Sequence, residues 1–267
     1  MDLARARSLV TVNWDDFDAA LFDLDGVLTP TADVHMHAWD AMFNAYLAQR
    51  GDQPPYTSRD YFDHVDGKPR YDGVRAFLAS RGIVLPEGDP SDPADAETVC
   101  GLGNRKNAVF AQILETEGVR PYPGSVALLD ALAPLGVAVA VVSSSRNAPA
   151  VLAAAGLADR FTVVVDGSVA AAEGLAGKPS PETFVRAAEL LGTVPARSVV
   201  LEDAISGVQA GRDGGFGLVV GVDRGAGADA LTAGGADLVV TDLAELVPDR
   251  ATTPSTDPTG TTRTTES

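Results

Sequence analysis

The chain has 267 residues, 45% of them hydrophobic and 21% charged, and a formal net charge of −17. That acidic balance, with no basic patch, argues against nucleic acid or an anionic membrane as partner, and no apolar run approaches the roughly 20 residues of a membrane-spanning helix. The single cysteine, Cys100, excludes an internal disulfide; with no basic-then-apolar segment at the start, the expected setting is the cytoplasm.

Residues 1–17 read as a short leader. The apolar run Ala19–Phe22 follows and ends in Phe22-Asp23-Leu24-Asp25-Gly26-Val27. Strand residues two apart point the same way, so a strand ending here sets both carboxylates at one mouth, where Gly26 lets the backbone turn. One ionised Asp can then serve as a nucleophile and the other as a proton carrier, with a divalent cation offsetting their repulsion. Taken alone, Asp-x-Asp-Gly is also an ordinary turn. A calcium loop fits less well, because the glycine stands fourth and Val34 occupies the twelfth position.

Residues 33–119 interrupt the pattern and read as helical, most clearly at His35–Gln49, Tyr71–Arg81 and Asn104–Glu117, with a loop at Pro86–Ala94. An insertion directly after the first strand lies over the strand ends, as a helical cap. His35 and His37, two apart on a helix, face different ways and do not form a paired-histidine metal site.

Beyond the insertion, short Val- and Ala-rich runs at Val137–Val142, Thr162–Val165, Ser198–Leu201, Gly217–Val220 and Asp237–Val240 read as buried parallel strands. Helical patterns at Gly124–Ala133, Ala148–Ala155, Pro181–Leu191, Gly207–Gly214 and Ala228–Ala233 separate most of them. This alternation predicts an α/β fold with a doubly wound parallel sheet (Rossmann-like) carrying an inserted α-helical cap. The core is expected over 18–32 and 120–248, and the Thr- and Pro-rich residues 249–267 as a disordered tail.

In such a sheet ligands gather outside the carboxyl ends of the strands. There the second run ends in Ser143-Ser144-Ser145-Arg146-Asn147, hydroxyls and cationic or amide groups ahead of a helix, which suits an anion although a Ser can equally be a cap. Next comes Gly177-Lys178-Pro179, whose ammonium can be a solvated charge or a counter-ion for phosphoryl oxygens. The fourth run ends in Glu202-Asp203, adjacent acids that are costly near an interior unless paired or cation-bound. The glycine-rich Gly221–Gly227 lacks dinucleotide-loop spacing and reads as a connecting loop.

In this order Asp23-x-Asp25, Ser143, Lys178 and Glu202-Asp203 resemble the four motifs of the haloacid-dehalogenase-like phosphotransferases, over about residues 18–248. Within that superfamily Phe22–Thr29, Thr31-Ala32-x-x-His35-x-x-Ala38-Trp39, Gly67-Lys68-Pro69-Arg70, Arg105-Lys106-Asn107 and Ser143–Asn147 are similar to the β-phosphoglucomutase family. The departures are Pro30, at the hinge to the cap, and a longer Ala-rich stretch at Val169–Ala176.

The resemblance implies an Mg²⁺-dependent mutase of glucose phosphates, a monomer acting on a sugar phosphate through an aspartyl phosphate and a bisphosphorylated sugar. Asp23 is the implied nucleophile and Asp25 the acid and base. Ser143 and Lys178 grip the phosphoryl group, and the metal falls to Asp23, the Asp25 carbonyl, Asp203 and Glu202. Substrate contacts fall to His35, Trp39, Gly67, Arg70, Lys106, Ser144, Ser145, Arg146 and Asn147. The same residues also suit a sugar-phosphate phosphatase or, less readily, a non-catalytic phosphosugar-binding protein.

Overall fold

A computed structural model describes residues 12–51 and 53–248; most of the leader and the expected disordered tail lie outside the described residues. Six parallel strands, β1 (Ala19–Phe22), β2 (Ala138–Val142), β3 (Val163–Val165), β4 (Ser198–Glu202), β5 (Leu218–Val222) and β6 (Leu238–Val240), form one sheet in the order β3-β2-β1-β4-β5-β6. All four residues of β1 are fully buried, as expected of a strand covered on both faces. Alternation sends Ala20 and Phe22 into one apolar cluster with Leu128 and Val151, and Leu21 into another with Phe184 and Val208.

The strand order reverses at β1, with β2 on one side and β4 on the other, which opens a crevice at the carboxyl ends of these strands. Asp23 follows β1, Ser143 follows β2, and Glu202 closes β4 with Asp203 next to it.

The helical insert contains α1 (Thr31–Ala48), α2 (Ser58–Asp60) running into a π-helical turn (Tyr61–Val65), α3 (Arg70–Ser80) and α4 (Val99–Glu117). It has its own apolar cluster, where Phe43 lies 4.1 Å from Phe77 and 5.0 Å from Tyr56 between ring centroids. The chain then re-enters the sheet through α5 (Pro123–Leu132), α6 (Ala148–Ala154), α7 (Gly167–Glu173), α8 (Glu182–Leu190), α9 (Ile205–Asp213) and α10 (Ala228–Gly234).

The structure departs from the expectations in four places. Helix α1 starts at Thr31 instead of His35, since Pro30 with φ −76° stands directly before the first helical residue and Asp33 suits the first turn. Helix α4 starts at Val99 instead of Asn104: Thr98 caps it by accepting from Gly101 N, so Gly101 and Gly103 lie inside the helix instead of breaking it. The Ala-rich stretch before Lys178 contains helix α7, capped by Asp166, which accepts from Ser168 N and Val169 N. Finally, the end of the leader is not peripheral: Trp14 is buried and donates to Leu246 O at 2.9 Å.

Candidate active site

Between the strand ends and the insert lies a cavity of about 630 Å³. Every residue expected at the site lines it: Asp23, Asp25, Ser143, Lys178, Glu202 and Asp203 from the core, His35, Trp39, Gly67, Arg70 and Lys106 from the insert, and Ser144 to Asn147 from the loop after β2.

Lys178 is the electrostatic centre of the core side. Its buried ammonium donates to Asp23 Oδ1 at 2.5 Å, to Glu202 Oε1, and to Val142 O at 3.1 Å. Burial opposes the ammonium's charge, but Asp23 and Glu202 outweigh it and raise its pKa, so Lys178 stays cationic. For Asp23 burial dominates and raises the pKa well above the carboxylate range; Lys178 opposes this, while Glu202 and Asp25 add to it. Glu202 has both oxygens engaged, the second accepting from Ala204 N at 2.8 Å.

Asp25 is held differently. Its carboxylate accepts from Thr31 Oγ1, receives a long 3.5 Å contact from Ser143 Oγ, and lies 3.3 Å from His35 Nε2 in an electrostatic contact short of a good hydrogen bond. Burial pushes its pKa up, but His35, Thr31 and Lys106 more than reverse this and bring it to about 2. His35 is stacked on Phe110 at 4.1 Å, and its Nδ1 bonds the Lys106 ammonium. Burial and Lys106 lower the imidazole's pKa, which favours the neutral ring. Lys106 is itself buried over the Trp39 and Phe110 rings, at 5.0 and 5.1 Å, and burial with the nearby Arg70 lowers its pKa to about 7. Trp39 therefore sits beneath Lys106 as an aromatic floor.

Elsewhere on the cavity wall, Arg70 Nη2 donates to Asn107 Oδ1 at 2.8 Å, and Asn147 Nδ2 donates to the same oxygen at 2.6 Å. Asn107, on the insert, thus joins an insert cation to a core amide. Arg146 lies over the Tyr71 ring at 5.8 Å, and the charge of Arg146 helps lower the pKa of Arg70 after burial. Two cations share this part of the cavity.

The insert also touches the core directly. Ser144 Oγ donates to Gly67 O at 2.8 Å and Ser206 Oγ donates to Asp66 O at 3.2 Å. Gly67 has φ +70°, and a Cβ there would stand 2.2 Å from Ser206 Oγ. Glycine is required for both backbone and space.

Among the described residues no three His, Cys, Asp or Glu side chains form a ready-made metal cluster. Yet Asp203 is crowded by Asp66, Glu202 and Asp23, and after burial these raise its pKa well above normal. Asp203 also lies against the turn carrying the Asp25 carbonyl, since a Cβ on Gly26 would fall 1.8 Å from Asp203 Oδ2. Hard carboxylate and carbonyl oxygens with surplus negative charge fit Mg²⁺, which keeps several waters and needs only one or two carboxylates.

Residues 17–215 match the family described as haloacid dehalogenase-like hydrolase. The chain belongs to this family. It is similar to a β-phosphoglucomutase of Mycobacterium tuberculosis (strain CDC 1551 / Oshkosh), with 53% identity over 239 residues, 86% of this chain and 91% of the relative. It is also similar to the β-phosphoglucomutase of Bacillus subtilis (strain 168), with 32% identity over 228 residues, 85% and 91% of the two chains. In fold it resembles the crystal structure of a hydrolase from Pseudomonas syringae, with a TM-score of 0.72, 21% identity, and 85% and 95% coverage.

Three contributors escaped the sequence reading of the site. Asn107 lies in the Arg105-Lys106-Asn107 motif without a role legible from sequence, and only its position between Arg70 and Asn147 reveals one. Asp66, directly before Gly67, is singled out by no motif; folded, it adds to the carboxylates around Asp203. Helix α7 supplies Ala170 and Ala171 to the cavity wall. Among the described residues no helix is long and apolar enough to cross a membrane.

Proposed function

We propose that this chain interconverts β-D-glucose 1-phosphate and glucose 6-phosphate as a β-phosphoglucomutase, passing a phosphoryl group through Asp23 and a bisphosphorylated sugar. Beyond the similarity at 53% identity, one observation supports this most directly: the cavity is lined by two separate groups of cations, Lys178 beside Asp23 and Arg70 with Arg146 and the amide of Asn147. A phosphatase needs one phosphate seat, whereas a bisphosphorylated intermediate needs two.

In this reading Asp23 Oδ attacks phosphorus, the bond to the sugar oxygen breaks, and an aspartyl phosphate forms while Lys178 and Ser143 hold the phosphoryl oxygens. Asp25 protonates the departing sugar oxygen. In the reverse direction it accepts the proton of the attacking hydroxyl. The bonds from Thr31 and the contact with His35 favour its ionised, basic form; an anionic phosphoryl group seated beside it shifts it toward the protonated form.

Asp23, Asp203 and the Asp25 carbonyl would hold Mg²⁺, with Glu202 supporting from behind through Lys178. When bound, the metal supplies positive charge that favours ionised Asp23 and offsets charge on the transferred group. Arg70 and Lys106 bring cationic groups from the insert, and Ser144, Ser145, Arg146 and Asn147 bring donors from the core. Residues 33–119 act as the cap, and 18–32 with 120–248 as the phosphotransferase core. Contact of the cap with the core excludes water, which decides whether sugar or water takes the phosphoryl group.

The test is ³¹P and ¹³C NMR of β-glucose 1-phosphate with Mg²⁺ and catalytic glucose 1,6-bisphosphate. Glucose 6-phosphate as product, abolished in Asp23→Asn, is the expected result. Release of inorganic phosphate alone would establish a phosphatase instead.

A further inference from the structure

The loop after β5, which the sequence presents as a mere connection, sends one side chain to the base of the site. Arg224 Nε donates to Gly26 O at 2.8 Å, and Nη1 donates to Thr241 O at 2.9 Å. The guanidinium carbon lies 3.9 Å from the centre of the Tyr122 ring. Its remaining nitrogen, Nη2, is buried without a partner, while the residue as a whole is half-buried, so the other three contacts fix the group. Asp223 shapes the loop that presents it, accepting from Gly225 N at 2.9 Å and Gly227 N at 3.1 Å.

The three contacts join separate parts of the molecule. Gly26 belongs to the segment entering the insert. Tyr122 belongs to the segment leaving it, where its N–H donates to Leu28 O at 2.9 Å. Thr241 follows β6.

Position 26 must be glycine, because its φ is +90° and Asp203 occupies the space of a Cβ. The same requirement leaves the turn without a side chain to limit its dihedrals. Its conformation therefore depends on bonds from outside. Gly26 N donates to Thr29 O at 2.7 Å, which orients the peptide shared with the Asp25 carbonyl. Arg224 holds the next carbonyl, so both peptide groups flanking Gly26 are pinned.

We propose that Arg224 is a positioning residue for phosphoryl transfer: by holding Gly26 O against Tyr122 it fixes the turn that carries Asp25 and lies against Asp203. This rests on the roles proposed above for Asp25 and for the Mg²⁺ ligands. A planar fork that binds two carbonyls and stacks on an aromatic ring is a task for which lysine is a poor substitute.

The test compares wild type with Arg224→Met and Arg224→Lys, using calorimetric Mg²⁺ titration of the sugar-free protein and steady-state kinetics. Arg224→Met is expected to weaken Mg²⁺ binding and lower kcat by roughly tenfold or more, the range found for groups that orient metal ligands, with KM for the sugar phosphate little changed. Added guanidinium should restore part of both losses, and Arg224→Lys should lie between the two. A folded Arg224→Met with unchanged Mg²⁺ affinity and kcat would overturn the proposal, as would losses that follow the melting temperature alone and are not rescued by guanidinium. If Arg224→Met does not fold, unchanged Mg²⁺ affinity and kcat in Arg224→Lys overturn it equally. Failure of the mutase reading would be seen separately, as wild-type protein that isomerises no hexose phosphate; the Mg²⁺ titration does not depend on that outcome.

Discussion

Lys178 and Asp23 are 155 residues apart in sequence, yet the Lys178 ammonium donates to Asp23 Oδ1 at 2.5 Å with both groups buried. The same ammonium binds Glu202, so one cation balances two carboxylates at the ends of β1 and β4. Removing it leaves two buried acids uncompensated. Lys178→Met should lower kcat by about 10³-fold, as for loss of a positioned charge at a transferring group. It should also cost about 3–5 kcal/mol of stability, as for a broken buried ion pair. Stopped-flow kinetics and denaturant melts check both; a variant with near-normal turnover would remove Lys178 from the proposed mechanism.

Lys106 provides a pH signature. Burial lowers its pKa to about 7, so it is cationic below that pH and neutral above it. Since kcat/KM reports the free enzyme, it should decline above about pH 7 as the insert loses a charge that attracts phosphate, and Lys106→Met should flatten that limb. The folded value lies below the unfolded one of 10.5, so between about pH 7 and 10 the unfolded chain binds more protons and this residue's contribution to stability rises with pH. Thermal melts of wild type and Lys106→Met across that window measure the difference.

Gly177 lies where the loop bearing Lys178 meets the insert. A Cβ at this position would approach Pro69 Cγ to 2.4 Å. Gly177→Ala should therefore hold the insert away from the core and admit water. The expected result is a higher ratio of inorganic phosphate to isomerised sugar in ³¹P NMR; an unchanged ratio would show that this contact does not govern exclusion of water.

Asn107 shares one carbonyl oxygen between Arg70 and Asn147. Asn107→Leu removes that acceptor and should raise KM for glucose 1,6-bisphosphate by about 10-fold, the loss of one hydrogen bond to a charged group. Accumulation of aspartyl phosphate at Asp23, tested with an acyl phosphate donor, should change little. A variant with unaltered KM would show that Asn107 does not organise the far phosphate seat.

The parallel sheet and the four motifs were legible in the sequence because each is local, although Lys178 stands beyond helix α7 and not directly at a strand end. A buried parallel strand is a short, continuous apolar run, and the groups that act at its end follow it directly, as Asp23 follows Phe22 and Ser143 follows Val142. The boundaries were less legible where a cap decided them: Thr98 extends α4 back to Val99, and Asp166 starts α7 in an Ala-rich stretch to which the sequence assigned no element. Such caps compete with turn formation by the same residue types, so composition alone leaves the choice open.

What the sequence determined by itself was the kind of chemistry: carboxylates, a hydroxyl and a lysine in a fixed order, the acids and the hydroxyl at strand ends and the lysine in a loop beyond helix α7, on a chain that also encodes a helical insert. Only tertiary structure decided how those charges balance. Lys178 pairs with both Asp23 and Glu202, Lys106 reaches Asp25 through His35, Asn107 joins Arg70 to Asn147, and Arg224 from a remote loop grips Gly26. The reason is physical: a pKa or a hydrogen bond depends on distance and burial, and groups brought together from far along the chain acquire both only when the sheet closes and the insert rests on it.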